Sequence, residues 1–214
     1  MGNIMSCFGR ADGSEADATE LGDLGTRGGD ASVGLSARDD FERWNSQLDA
    51  AYKQEHPGTR PGGDHRLYRA AVEEPSDVFR PGGRLQPSAH GTEHHDDRTF
   101  SVLEHQNGAP SHFTSTTRDL SAAEQIGSDG ALREWVYVMD PHPNGRDVNA
   151  VRAANGQASL KPNFLDEQEV SIPGPIHAED IRGALPLRDG SVDYAGLVRN
   201  PVYRGSLATG ETDR

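Results

Sequence analysis

Apolar residues fall at helical spacing in one stretch of the chain and in short runs elsewhere. Phe41, Trp44, Leu48 and Tyr52 recur at i, i+3, i+7 and i+11, one face of a helix from Ser36 to about Gln54. Ser36 can cap it, Asp39, Asp40 and Glu42 complement the dipole in its first turns, and His56-Pro57-Gly58 ends it. From His65 onward the pattern becomes short strands and helices. Leu67 to Val72 reads as a strand, Pro75 to Phe79 as one helical turn stopped by Pro81-Gly82-Gly83, and Asp119 to Gln125 as a helix capped by Thr117 or Asp119. Trp135 to Met139 reads as a buried strand ended by Asp140-Pro141, and Val170 to Ile172 and Gly183 to Leu187 as short strands. This mixture predicts an α+β fold rather than a parallel α/β sheet. No internal repeat is visible.

The periods divide the chain. Residues 1–35 are rich in Gly, Ala, Ser, Asp and Thr without a period of 2 or 3.6, and are expected to be disordered. Residues 36–63 are the amphipathic helix and a Pro61-Gly62-Gly63 linker, 64–190 the main domain, and 191–214 a C-terminal tail.

Composition narrows the function classes. The 214 residues carry 21 Lys and Arg against 34 Asp and Glu, a formal charge of -13, which argues against nucleic acid because phosphate contacts need clustered positive charge. With 33% hydrophobic residues, 25 Gly and 13 Pro, one modest core is expected rather than two. The single cysteine, Cys7, leaves no partner for an intrachain disulfide and rules out a cysteine-rich zinc site. No run approaches the ~18 apolar residues of a membrane helix, and the N-terminus lacks the apolar h-region of a secretory signal. Only Lys53 and Lys161 stand against 19 arginines, a skew that suits a GC-rich genome or a protein that offers few ubiquitin acceptors inside a eukaryotic cell.

Met1-Gly2-Asn3-Ile4-Met5-Ser6-Cys7 fits the N-myristoylation pattern, with Cys7 placed for a second acyl chain. Two such chains anchor stably where one binds marginally. The segment has no polybasic patch, so Cys7 would supply the second signal.

Four features carry candidate chemistry: Arg69 within Leu67-Tyr68-Arg69-Ala70, His105 within Val102-Leu103-Glu104-His105, Ser115-Thr116-Thr117 after Phe113, and Glu167-Gln168-Glu169 before Val170-Ser171. In this order and spacing the sequence resembles the mono-ADP-ribosyltransferases of the cholera and pertussis toxin type, over about His65 to Leu187. Their signature is an arginine in a strand, an aromatic-x-Ser-Thr-Ser strand and a Glu-x-Glu motif. Pro75-Ser76-Asp77-Val78 followed by Gly82-Gly83 resembles their next segment, and Asp166 to Ser171 is nearly identical to the cholera-type catalytic segment. The sequence departs from the pattern where Thr117 replaces the third serine. It departs again where Ala71 and Glu73 stand in place of an aspartate and a second arginine. The stretch between His105 and Ser115 is too short for a long activation loop.

The resemblance implies two small antiparallel sheets around an NAD cleft, preceded by the helix, with NAD as co-substrate and no metal. Breaking the nicotinamide bond of NAD develops an oxocarbenium-like charge on the ribose, as in glycoside cleavage. By resemblance Glu169 is the carboxylate that stabilises this charge, Ser115 holds Glu169, Arg69 meets the pyrophosphate or the adjoining ribose, and His105 bonds the same end of NAD. Tyr68 and Thr116 join Arg69, His105, Ser115 and Glu169 as expected cofactor contacts. Glu167 is the specificity element, since an arginine acceptor stays protonated and needs a carboxylate to orient it and draw off its proton. In an extended strand Glu167 and Glu169 would share a face.

Taken singly, Arg69, Ser115 and the glutamates are also ordinary strand and solvated residues; their order together carries the reading. Phe164 fits a target-contacting loop or the core. His90, His94 and His95 with Asp96 and Asp97 are spaced too irregularly for a metal site and read as a solvated loop. The expectation is a monomeric bacterial virulence effector, injected into a host cell by a type III route. It would modify a host protein on arginine from the host plasma membrane, through lipids on Gly2 and Cys7, or from the cytoplasm. The alternatives are a NAD glycohydrolase and a membrane-tethered binding module on an inactive transferase fold.

Overall fold

A computed structural model describes residues 36–55, 57, 66–87, 101–106, 111–128, 133–157 and 168–204. Helix α1 spans Ala37–Glu55, within a residue of its predicted ends. Ser36 caps it reciprocally: its Oγ accepts the Asp39 amide at 3.2 Å while the Asp39 carboxylate accepts the Ser36 amide at 3.1 Å. Phe41 and Leu48 are buried, as the periodicity requires, and so is Asn45.

The strands are β1 (Leu67–Ala71), β2 (Arg84–Leu85), β3 (Phe113–Thr117), β4 (Trp135–Met139), β5 (Arg146–Asp147), β6 (Glu169–Pro173), β7 (Ile176–His177), β8 (Ile181–Arg188), β9 (Ser191–Val192) and β10 (Val198–Arg199). The main antiparallel sheet runs β10-β8-β4-β1-β3-β6-β5, with β9 hairpinned onto β8, and β2 and β7 form a second, two-stranded sheet. Between the strands lie α2 (Pro75–Val78), α3 (Val102–Gln106), α4 (Leu120–Ser128) and α5 (Val148–Ala154).

The sheet is continuous in its two halves and nearly broken between them. β1 and β4 pair from Leu67↔Met139 to Ala71↔Trp135, and β3 and β6 pair from Phe113↔Pro173 to Thr117↔Glu169. β1 and β3 share only Tyr68↔Thr117. Side-chain alternation then sorts the core. Tyr68, Ala70, Val136, Val138 and Leu185 face α1 and α4, where they meet Phe41 and Ala123. Leu67, Ala71, Tyr137, Met139 and Ile181 face the other way and share one core with Val170 and Ile172 of β6. Past the single bridge the two halves therefore diverge and close over a common interior. Burying each large side chain here contributes about 1.5–3 kcal/mol. A third cluster, Val102, Phe113 and Val148, seats α3 and α5 against β3.

Helix α1 is also held by charge. Arg182 of β8 is 1% exposed. Its Nε donates to Asp140 and its NH1 to Asp49 of α1, both at 2.7 Å, and NH1 reaches Asn45 Oδ1 at 3.2 Å. The Tyr203 hydroxyl donates to the same Asp140 at 2.9 Å. The helix read from sequence as a separate unit before a linker is thus packed into the sheet domain.

Residues 191–204, expected as part of a tail, continue the fold: β9 and β10 both pair with β8, and Asn200 donates to the Ala178 and Ile181 carbonyls at 2.7 and 2.6 Å. β8 is longer than the expected Gly183–Leu187 strand. Helices α3 and α5 were not expected. The α5 signal was present, since Asp147 precedes Val148 and its carboxylate caps the helix by accepting the Ala150 amide at 2.9 Å. Among the described residues no helix is long and apolar enough to cross a membrane.

Candidate active site

The parting of β1 and β3 after the Tyr68↔Thr117 bridge gives Arg69 its place. Arg69 stands in the middle of β1, and its NH1 donates to the Ser115 carbonyl at 2.7 Å. A strand amide would normally meet that carbonyl; here a guanidinium does, so a fixed positive charge lies where the strands part.

His105 enters from α3 on the other side of Ser115. Its Nε2 is 2.6 Å from Ser115 Oγ and 3.6 Å from Glu169 Oε1, and its Nδ1 is 2.5 Å from Ser111 Oγ. The ring leans on Phe113 with centroids 5.8 Å apart. Burial chiefly, and Arg69 as well, push the imidazole pKa below its ordinary value, against the opposing pull of Glu169. The shift favours the neutral imidazole.

Glu169 opens β6 opposite Thr117, and its carboxylate is 19% exposed. The Ser171 hydroxyl donates to its Oε1 at 3.3 Å. Ser115 and Ser171 are directly opposed across β3 and β6, so both hydroxyls project from the face that carries Glu169. Arg146 of β5 is next in the same row, with its guanidinium 5.6 Å over the Phe113 ring.

The structure thus gathers Arg69, His105, Ser115 and Glu169, residues spread over a hundred positions of sequence. It adds Ser111, which lies in no motif, and Ser171, which closes the Asp166–Ser171 segment but takes no role from sequence; each gains its meaning from helix docking or strand register. Of the expected NAD contacts, Thr116 alternates with Ser115 along β3 and faces the other way, and Tyr68 is packed into the core. Tyr68 is 5% exposed within the core beneath α1 and α4, and the Thr116 hydroxyl donates to the Val170 carbonyl at 2.7 Å.

The extended geometry expected across Glu167, Gln168 and Glu169 does not hold. Gln168 has φ 45°, a left-handed conformation, and its carbonyl accepts the Arg118 amide at 3.3 Å. The strand starts at Glu169, so the i, i+2 rule does not relate the two glutamates. Glu167 itself lies outside the described residues, as do Phe164, the His90, His94 and His95 group, and the acylation candidates Gly2 and Cys7. Among the described residues no group of three or more His, Cys, Asp and Glu side chains is arranged to hold a metal ion.

Known proteins resemble the chain over the segment that holds these residues. The family model described as Scabin-like matches residues 67–203. The chain is 31% identical over 157 residues to the A chain of heat-labile enterotoxin IIA of Escherichia coli, covering 68% of this chain and 58% of that one. It is 32% identical over 153 residues to the NAD(+)--arginine ADP-ribosyltransferase Chelt of Vibrio cholerae, covering 66% of this chain and 24% of that protein. The chain thus spans less than two thirds of the length of either relative. The solved Scabin toxin of Streptomyces scabies in complex with NADH superposes with a TM-score of 0.50 at 25% identity, over 65% of this chain and 75% of that one. The matched segment begins with the strand that carries Arg69, contains His105, Ser115 and Glu169, and ends at the tyrosine that closes the Arg182 network: the chain belongs to the Scabin-like family.

Proposed function

We propose that the chain is an NAD-dependent mono-ADP-ribosyltransferase that modifies a protein on arginine, with residues 64–204 as the catalytic domain. The observation that carries this reading is the Glu169 carboxylate 3.6 Å from His105, beside Ser115 and next to a split sheet edge fitted with Arg69. In the reaction the bond between the nicotinamide nitrogen and the ribose C1′ breaks. The electron pair leaves with nicotinamide, which becomes neutral, and positive charge spreads over C1′ and the ring oxygen. Glu169 stabilises that charge and accepts a bond from the adjoining ribose hydroxyl. Arg69 supplies the guanidinium for the pyrophosphate end. An acceptor guanidinium nitrogen then bonds to C1′ and gives up its proton to a carboxylate, the part assigned to Glu167. The acceptor class is supported by the Glu-x-Glu sequence and by the arginine specificity in the name of Chelt.

The cellular reading is a bacterial toxin-like effector acting at a host membrane through acyl chains on Gly2 and Cys7, supported by the Met-Gly-x-x-x-Ser-Cys pattern. Gly2→Ala expressed in a eukaryotic cell moves the protein from the membrane fraction to the soluble one; equal partition of wild type and variant contradicts the lipid anchor. The activity is tested by incubating the wild-type chain with NAD labelled in the adenylate moiety and a host lysate or agmatine. Label on protein or agmatine supports the transferase. Free ADP-ribose alone marks a glycohydrolase, and neither product marks a binding module on an inactive fold.

A further inference from the structure

We infer that Ser111 is a positioning residue that locks His105 as the neutral tautomer with its proton on Nε2; the catalytic use of this lock rests on the function proposed above. The carboxylate beside Nε2 sets the proton direction, and the contact at Nδ1 is compatible with it. Nε2 faces Ser115 Oγ at 2.6 Å and the Glu169 carboxylate at 3.6 Å, and a neighbouring carboxylate favours a proton on the nitrogen that faces it. Nδ1 must then accept. Ser111 Oγ, 2.5 Å away, accepts the Phe113 amide at 3.3 Å with one lone pair and has its own hydrogen to offer to an accepting Nδ1. The row therefore reads Phe113 N–H to Ser111 Oγ, Ser111 O–H to His105 Nδ1, and His105 Nε2–H to Ser115 Oγ, with every donor pointing one way.

Three structural features make this a built device. Ser111 is 0% exposed, so its hydroxyl is shielded from solvent. The Phe113 amide that fixes it belongs to the first residue of β3, and the Phe113 ring is also the surface on which the imidazole rests. His105 lies in a helix of only five residues, too short to hold a side chain by its own stability. The functional consequence falls on Ser115. With its oxygen accepting from Nε2, its own hydrogen is left to donate toward Glu169 or a ribose hydroxyl. The opposite tautomer would reverse that donor and remove it.

The test is nitrogen NMR of the full chain with ¹⁵N-labelled histidine, at a pH above the imidazole titration, with His105→Gln to assign its signals. The expected wild-type result is a pyrrole-type Nε2 and a pyridine-type Nδ1. Ser111→Ala should lose this bias and populate both tautomers, with kcat for NAD hydrolysis falling about tenfold, the scale of one oriented hydrogen bond, and KM for NAD nearly unchanged. Ser111→Thr keeps the hydroxyl and serves if the alanine variant fails to fold; it should retain the wild-type tautomer. A wild-type signal with the proton on Nδ1, or a Ser111→Ala signal identical to wild type, overturns the inference. Because the tautomer is read without turnover, it stands or falls separately from the transferase reading: a correct tautomer in a chain that never consumes NAD would count against the activity alone.

Discussion

Replacing Arg182 by methionine keeps most of the side-chain volume but removes the cation between α1 and the sheet. Arg182 is 1% exposed and holds Asp49 and Asp140, each at 2.7 Å. The variant leaves two carboxylates without their common partner. Breaking a buried pair by deleting one side costs about 3–5 kcal/mol, against roughly 1 kcal/mol for an exposed pair. For a domain of this size each kcal/mol lowers the melting temperature by about 2–4 °C, so thermal unfolding should drop by roughly 6–20 °C. The defect should also depend on pH. Burial already raises the Asp140 pKa above its ordinary value, with Arg182 pulling it down, so loss of Arg182 raises it further. An acid whose folded pKa lies above its unfolded one is most destabilising above the folded value, and the penalty fades as pH falls through it. The melting difference between wild type and Arg182→Met should therefore shrink from neutral to mildly acidic pH. Combining the variant with Asp49→Asn and Asp140→Asn should restore part of the loss at neutral pH. Melting curves followed by circular dichroism at several pH values test this. A drop under about 3 °C, or a larger drop constant with pH and unrelieved by the asparagines, refutes the electrostatic argument.

Two further outcomes follow from the site. The lowered pKa of His105 means that the unfolded chain binds a proton there first. Its contribution to stability is complete above the ordinary value of 6.5 and is lost as pH falls through and below it, and His105→Gln should remove that part of the slope in the stability–pH profile. An NMR titration of His105 with a midpoint above 6.5 would contradict this. Glu167→Gln should abolish transfer to arginine while leaving slow NAD hydrolysis, because an amide cannot take the guanidinium proton. Agmatine labelling measured beside free ADP-ribose decides it, and transfer that survives while hydrolysis falls would remove Glu167 from the acceptor role.

The elements legible in the sequence were those whose residues announce their own environment. Phe41, Trp44 and Leu48 give α1 its period, and Trp135 to Met139 can only be a buried strand. Arg69, His105, Ser115 and Glu169 were legible because they lie in ordered motifs. What stayed hidden depends on contacts between distant segments. The lone Tyr68↔Thr117 bridge that parts the sheet has no local signal. The same holds for Ser111, which matters only because α3 docks over β3. The reach of Arg182 to Asp49 joins residues 133 apart in sequence. Gln168 shows the limit in small: a glutamine between two glutamates reads as strand, yet its carbonyl bonds the Arg118 amide and its φ is 45°.

The most direct measurement of the central claim is turnover of labelled NAD by wild type and Glu169→Ala, with agmatine present and free ADP-ribose counted in the same reaction. Both products pass through the same oxocarbenium-like transition state, and Glu169 is the carboxylate beside His105 that would stabilise it. Losing one such stabiliser costs roughly 10²–10³ in rate, so both transfer and hydrolysis should fall together by that factor while the melting temperature stays near wild type. Wild-type turnover by the folded Glu169→Ala variant would contradict the account.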